Sequence, residues 1–252
     1  MRQFDVFVWG GNTSKNGQES FEPPFTDSAL GWFYGNDLNS NLENSEAEWV
    51  VFAHRSIAID RQFLNDLAEC ISGFPMVDAF APRIHNKQSG KFLSGYVLDK
   101  KTGLKMLDEN AKMRFVAAPN TYIAVFSRRI VQRTGRLDDT LAKSTMFADY
   151  AFRMLHAGGK MFSVPYLVTN APDKIPEAAT LENSDPREKQ QAKNDLAYAL
   201  VKSFGIPRNI RFLARNPKAF YFIWKNRKEL FEKRDKATLL SKFRKSDLAE
   251  LF

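Results

Sequence analysis

The stretch WVVFAHRSIAID, residues 49–60, carries the reading of the fold. Five apolar residues, Trp49 to Ala53, run without interruption into His54-Arg55-Ser56. A continuous run of this kind fits a strand covered on both faces, as strands are in parallel α/β sheets. Asp60 then stands at a helix N-cap position, ahead of Phe63, Leu64, Leu67, Ala68 and Ile71 at helical spacing. Ligands in parallel α/β sheets bind beyond the carboxyl ends of strands, so His54, Arg55 and Ser56 become candidates for ligand chemistry.

Working outward, FDVFVW (4–9) is a second apolar run, closed by Gly10-Gly11-Asn12, and predicts a buried strand ending in a tight loop. Residues 12–30 read as a long polar loop, and Leu38 and Leu42 mark a short helix. MVDAFAPRI supplies another strand, NKQSGKFLSG a turn or hairpin, and TYIAVFS (121–127) a further strand. A short helix follows to about Thr134, with Gly135 as its stop. STMFADYAFRMLHAGG predicts a longer helix ending at Gly158-Gly159, and KMFSVPYLV a last strand. The alternation of strands and helices predicts an α/β domain with a mostly parallel sheet flanked by helices.

Composition narrows the function classes. With 252 residues, 44% hydrophobic and 13% aromatic, the chain can bury a substantial core. No apolar stretch approaches the ~20 residues of a membrane-spanning helix, and the start MRQFDVFVWGG is too short and too acidic for a signal peptide. The single cysteine, Cys70, lies on the apolar side of the helix after Asp60 and reads as a buried thiol. A reducing, cytoplasmic setting fits these features. The net charge of +8 is concentrated: residues 206–252 hold 13 Lys/Arg and 5 Asp/Glu, a difference of +8, so the rest of the chain is balanced.

Two segments resemble family-2-like glycosyltransferases with the GT-A fold. SEAEWVVFAHRSIAIDRQFLNDLAE is similar to that family's central strand and following helix, where an Asp-x-Asp pair ends the strand and holds a divalent cation on the sugar-nucleotide diphosphate. GRLDDTLAKSTMFADYAFRMLHAGGKMFSVP is similar to G-x-F-D-E … E-D-x-D-x-x-x-R-x-x-x-x-G-x-x-x-x-x-P. The resemblance covers roughly residues 1–170 and implies a GT-A-like domain over residues 1–175, with a helical basic C-terminal extension over residues 176–252. It implies transfer of a sugar from a nucleotide-sugar donor to a glycan or lipid-linked acceptor in cell-envelope polysaccharide synthesis. Asp149 matches the base that deprotonates the acceptor hydroxyl. Asp138 and Arg153 match acceptor-side positions, and Gly10, Gly11, Asn12, His54, Arg55 and Ser56 match the donor side. On a helix Asp149, Phe152, Arg153 and His156 share one face, which predicts a polar face toward a cleft. Asp149 as a helix carboxylate paired with Arg153 is the plainer alternative.

His54-Arg55-Ser56 stands where Asp-x-Asp is expected, so Mn²⁺ or Mg²⁺ is left without its usual carboxylate ligands, and no metal ligand is assigned. Arg55 offers a cation-independent way to hold a diphosphate. His54 is equally well read as a hydrogen-bonded strand-end residue. WGGNTS replaces the D-N-x-S of relatives, and only about 47 residues precede the central strand, which leaves the first strand of the nucleotide-binding half without a counterpart. Asp60 is read as an N-cap rather than a displaced metal ligand. A non-catalytic pseudo-transferase that binds a glycan or a partner protein is the alternative to an enzyme.

Residues 206–252 interleave Lys and Arg with Ile210, Phe212, Leu213, Phe220, Ile223, Trp224, Leu230 and Phe231. Pro207 and Pro217 predict two or three short helices. Basic helices of this composition bind anionic membrane surfaces, which would make the protein peripheral on the inner face of the cell membrane. The same residues can instead pack on the body through their apolar face. Nucleic-acid binding is the weakest reading, because no recognisable nucleic-acid motif accompanies the charge.

Overall fold

The computed structural model describes residues 2–10, 23–107, 112–171 and 186–239. Phe4–Trp9 forms β1 and Trp49–His54 forms β3, as their apolar runs predict. Between them lie β2 (Leu30–Tyr34), a strand not anticipated from the sequence, and α1 (Leu38–Asn44). Helix α2 (Arg61–Gly73) starts where the Asp60 carboxylate accepts the Phe63 N–H at 2.8 Å, so Asp60 is an N-cap. The MVDAFAPRI run is cut at Pro82, which has no N–H to give a ladder. Ala79–Phe80 becomes β4, and Arg83–Asn86 becomes β5, paired in a hairpin with β6 (Lys91–Leu93).

Tyr96–Asp99 (β7) and Gly103–Met106 (β8) form a second hairpin, followed by β9 (Arg114–Phe115). Ile123–Ser127 is β10, leading into α3 (Arg128–Thr134), which stops at Gly135 with φ +77°. A left-handed residue at that place is what glycine supplies at least cost. Lys143–His156 is α4, Met161–Ser163 is β11 and Val168–Ala171 is β12. Four helices close the described chain: α5 (Pro186–Phe204), α6 (Ile206–Arg215), α7 (Pro217–Lys225) and α8 (Arg227–Leu239).

The main sheet has seven strands in the order β2-β1-β3-β10-β4-β11-β9. Five of them run in one direction, while β10 and β9 run against their neighbours. The central pair is in register from Phe4 opposite Trp49 to Trp9 opposite His54, so β1 and β3 end together. Strand alternation divides the core in two. Val6, Val51, Ala53, Ile123 and Val125 face α2, where Phe63, Leu67 and Cys70 are buried. Phe7, Phe52 and Phe126 face α4, with ring centroids 5.3 Å apart for Phe52–Phe147 and 5.0 Å for Phe126–Tyr150.

Helix α5 lies across α4 and in turn carries α6, α7 and α8. Leu200, Val201, Phe204, Phe212, Leu213, Ile223 and Leu230 belong to the same buried cluster as Phe7 and Phe52. The C-terminal helices therefore pack on the body through an apolar face, and the expected boundary at 175/176 lies outside the described residues. Ile223 and Trp224 are neighbours in sequence with opposite surroundings, buried and exposed respectively. Ile223→Ala is expected to lower unfolding free energy by roughly 2–5 kcal/mol, the usual cost of truncating a packed aliphatic side chain. Trp224→Ala should stay within about 0.5 kcal/mol of the parent, and urea titration of the three proteins measures both.

Candidate functional site

The carboxyl end of β3 is held by a compact set of bonds. The His54 N–H donates to the Tyr122 carbonyl at 2.7 Å, and the Arg55 N–H donates to the Trp9 carbonyl at 2.8 Å. His54 Nδ1 accepts the Ser56 N–H at 3.2 Å and lies 2.7 Å from Ser56 Oγ. With Nδ1 as acceptor, the neutral ring carries its proton on Nε2. Burial, aided by the charge of Arg55, lowers the His54 pKa, so the ring is neutral at neutral pH. Trp9 and Tyr122 meet the imidazole edge-on at 4.7 and 5.5 Å. Gly10 crosses directly over it, with φ +89°, and a Cβ there would come 2.3 Å from His54 Nε2. His54 thus lies directly beneath Gly10, Ser56 orients it, and Arg55 is exposed beside them. Gly11 and Asn12 lie outside the described residues.

Asp149 does not open into a cleft. The shared helical face of Asp149, Phe152, Arg153 and His156 exists, but it meets α5. Phe152 and Phe204 rings are 5.1 Å apart, and His156 Nε2 lies 2.9 Å from the Ser203 carbonyl oxygen. Asp149 is 0% exposed, with Lys202 Nζ 2.5 Å from Oδ1 and Arg153 Nε 3.0 Å from Oδ2. A carboxylate sealed between two cations has no approach for an acceptor hydroxyl, so the base role read from the sequence is corrected to an internal ion pair. Arg153 is committed as well, donating through Nη1 to the Thr134 carbonyl at 3.0 Å and through Nη2 to the Arg136 carbonyl at 2.9 Å. Those bonds fix the turn after α3, and they correct its acceptor-binding role.

Asp138 joins the same network rather than a ligand surface. Its Oδ2 lies 3.3 Å from Lys202 Nζ and 3.5 Å from Lys233 Nζ, and Thr140 Oγ1 donates to its Oδ1 at 2.5 Å. Burial alone would raise its pKa, but the Thr140 hydroxyl and the two ammonium groups outweigh it and bring it to about 2. The spacing of the quoted segment carried a signal for this. Counting back from Arg153, Asp149 falls on the later acid of E-D-x-D, four residues before the arginine, and the E-D pair falls on Met146 and Phe147.

A cleft of about 330 Å³ lies between the start of α1, the turn after α3 and the start of α4. Asn36, Asp37, Asn39, Arg136, Asp139, Lys143 and Met146 line it. Asn36 ties it to the strand ends, because the Gly10 N–H donates to Asn36 Oδ1 at 3.2 Å. Lys143 Nζ donates to the Asn36 carbonyl at 3.4 Å, and buried Asn39 exchanges two hydrogen bonds with the Leu137 backbone at 2.8 and 3.1 Å. Asp37 caps α1 by accepting the Ser40 N–H at 3.0 Å. Arg136, Lys143 and the exposed carboxylate of Asp139 border the cleft, and Arg136 Nε lies 3.1 Å from Glu43 Oε1. The Asn36–Asn39 corner escaped the sequence reading, although the polar run GNDLN after LGWFY marks a strand end.

Comparison with solved structures places this architecture. GalNAc-T7 with UDP, GalNAc and Mn²⁺ matches with a TM-score of 0.60 and 12% identity, covering 94% of this chain and 54% of that one. The chain has a GT-A-like glycosyltransferase fold. It spans about half the length of GalNAc-T7. Looser likenesses to this GT-A-like chain are S. aureus TarS 1–349 with UDP-GlcNAc and the mannosyltransferase PcManGT from Pyrobaculum calidifontis with GDP-Man and Mn²⁺. For TarS the TM-score is 0.49 at 11% identity, covering 89% and 74% of the two chains. For PcManGT it is 0.46 at 14%, covering 94% and 74%. No model of a protein family and no curated protein sequence matches the chain.

Mn²⁺ and Mg²⁺ take oxygen ligands, mainly carboxylates. The β3 end of this GT-A-like chain offers His54, Arg55 and Ser56, and no group of three His, Cys, Asp or Glu suited to a metal gathers among the described residues. The residues present do not fit such a cation.

The ion network sets two expectations. Asp149→Asn removes the shared carboxylate partner of Lys202 and Arg153 and leaves Lys202, which is 4% exposed, with Asp138 as its remaining carboxylate, so it should cost about 2 kcal/mol of stability in chemical denaturation. Asp138 is held low in the fold and returns to its ordinary value on unfolding, so the stability it contributes is complete above about pH 4 and is lost as pH falls toward 2. Urea melts of Asp138→Asn should therefore depend less on pH across that window than those of the parent.

Proposed function

We propose that the protein binds a nucleotide-sugar donor along the carboxyl ends of β1 and β3 and transfers its sugar to a hydroxyl of a glycan or lipid-linked acceptor, in cell-envelope polysaccharide assembly. The observation that carries this reading is the cleft that holds Asp139 beside Lys143 and Arg136 and is bordered by Asn36, whose side chain accepts the N–H of Gly10 at the end of β1. Ligand sites in α/β sheets of this kind lie beyond the carboxyl ends of the strands. Asp139 takes the role that the resemblance gave to Asp149. Its carboxylate accepts the acceptor proton as the hydroxyl oxygen bonds to the anomeric carbon, while the bond to the diphosphate breaks and the nucleoside diphosphate leaves with the electron pair. Arg55 and the two cleft cations offset the diphosphate charge by charge-assisted hydrogen bonds. Donors of the UDP and GDP classes, bound by the structural neighbours, are the first to try.

The burial of Asp149 and the apolar Met146 and Phe147 at the family's acid pair favour a second reading, a non-catalytic pseudo-transferase that binds a glycan or a partner protein. Calorimetry with UDP- and GDP-sugars, with and without EDTA, followed by a turnover assay with a glycan acceptor, separates the two. Binding that persists in EDTA and turnover that falls by about a hundredfold or more in Asp139→Asn, at unchanged donor affinity, is the expected result. Donor binding without turnover moves the assignment to the non-catalytic reading. Failure of any sugar nucleotide to bind rejects the transferase reading and moves the assignment to the glycan- or partner-binding pseudo-transferase.

A further inference from the structure

Helix α7 is apolar on two sides, and among the described residues one of them packs on the body. Ala219 and Ile223 are buried against the body. On the opposite side Phe220, Tyr221 and Trp224 are 47%, 69% and 59% exposed, and Ile210 of the adjoining α6 is 59% exposed. Three large aromatic side chains facing out from a nine-residue helix are not accounted for by core packing, since burial would stabilise each of them. The rim of this face is predominantly basic: Arg211, Arg215, Lys218, Lys225, Arg227 and Lys228 are all exposed, with Glu229 the acid beside them. The Arg227 guanidinium lies 4.6 Å from the centroid of the Trp224 ring. Residues 206–239 hold ten Lys/Arg and three Asp/Glu, a difference of +7.

We infer that the outer face of α6 and α7 docks the protein on an anionic lipid bilayer. Tyr, Trp and Phe flanked by Lys and Arg suit the headgroup region, where rings enter the acyl boundary and cations meet lipid phosphates. No helix among the described residues is long and apolar enough to cross a membrane, so the mode is interfacial. A second copy is a poorer occupant, because a two-fold contact would press the same basic rim against itself. The inference stands independently of the sugar-transfer reading, since it uses no residue of the cleft.

Cosedimentation of the full chain with phosphatidylcholine vesicles, with and without about 30% phosphatidylglycerol, tests it. The partition coefficient should be at least about tenfold higher on the anionic vesicles and should fall with added salt. The triple variant Phe220→Ser/Tyr221→Ser/Trp224→Ser should lose about tenfold or more in binding at an unchanged melting temperature. Lys218→Glu/Lys225→Glu keeps the aromatic residues and should lose only the preference for anionic lipid. Equal binding to both vesicle types, or wild-type binding by both variants, overturns the inference. Concentration-dependent self-association abolished by the triple variant would instead assign the face to a second copy. Tighter binding to an oligonucleotide than to the anionic vesicles would assign it to nucleic acid.

Discussion

Lys202 is the residue on which the arrangement of this molecule turns. Its ammonium is 4% exposed and lies within ion-pair distance of both Asp149 and Asp138. Through those two carboxylates it joins α5 to α4 and to the turn after α3, while Lys233 brings α8 to the same point. Charges removed from water in this way are tolerated only when each finds an opposite partner and hydrogen bonds. Two carboxylates face Lys202, Arg153 and Lys233, and the remaining Arg153 donors end on the Thr134 and Arg136 carbonyls. The position of the C-terminal helices is thus specified by polar complementarity as well as by the apolar cluster around them.

Burying α4 has a consequence for chemistry. Phe147 and Tyr150 turn one side of the helix to the sheet, and Asp149, Phe152 and His156 turn another to α5. What remains accessible is the amino-terminal end, where Lys143 and Met146 border the cleft. Among the described residues, the polar groups beside that end are those of the Asn36–Asn39 corner and the turn at Arg136–Asp139. Gly10 couples that corner to the end of β3, because its backbone covers His54 while its N–H reaches Asn36. A side chain at residue 10 would collide with the imidazole and would also need a left-handed backbone, so the close approach depends on glycine.

Helix α7 shows how one short segment can satisfy two readings of its composition. Its inner residues complete the core of the body, and its outer aromatic residues are exposed among basic ones. Packing and surface binding were alternatives only as long as the helix was treated as having a single apolar face.

The sequence by itself determined the elements whose causes are local. Uninterrupted apolar runs made β1 and β3, the Asp60 carboxylate started α2, and the need for a left-handed residue stopped α3 at Gly135. The helical face shared by Asp149, Phe152, Arg153 and His156 was legible too, because it follows from 3.6 residues per turn. Periodicity gives the direction in which a side chain leaves its helix but carries no information about what stands there. Only the tertiary structure placed α5, a helix within the expected helical extension, against that face. Its Lys202 changes Asp149 from a carboxylate facing substrate into half of a buried ion pair. The same limit applies to β10, read as a strand from its composition but set antiparallel only by its pairing with β3 and β4, and to Asn36. The contact of Asn36 with Gly10 spans 26 residues, and no local signal encodes a contact at that separation.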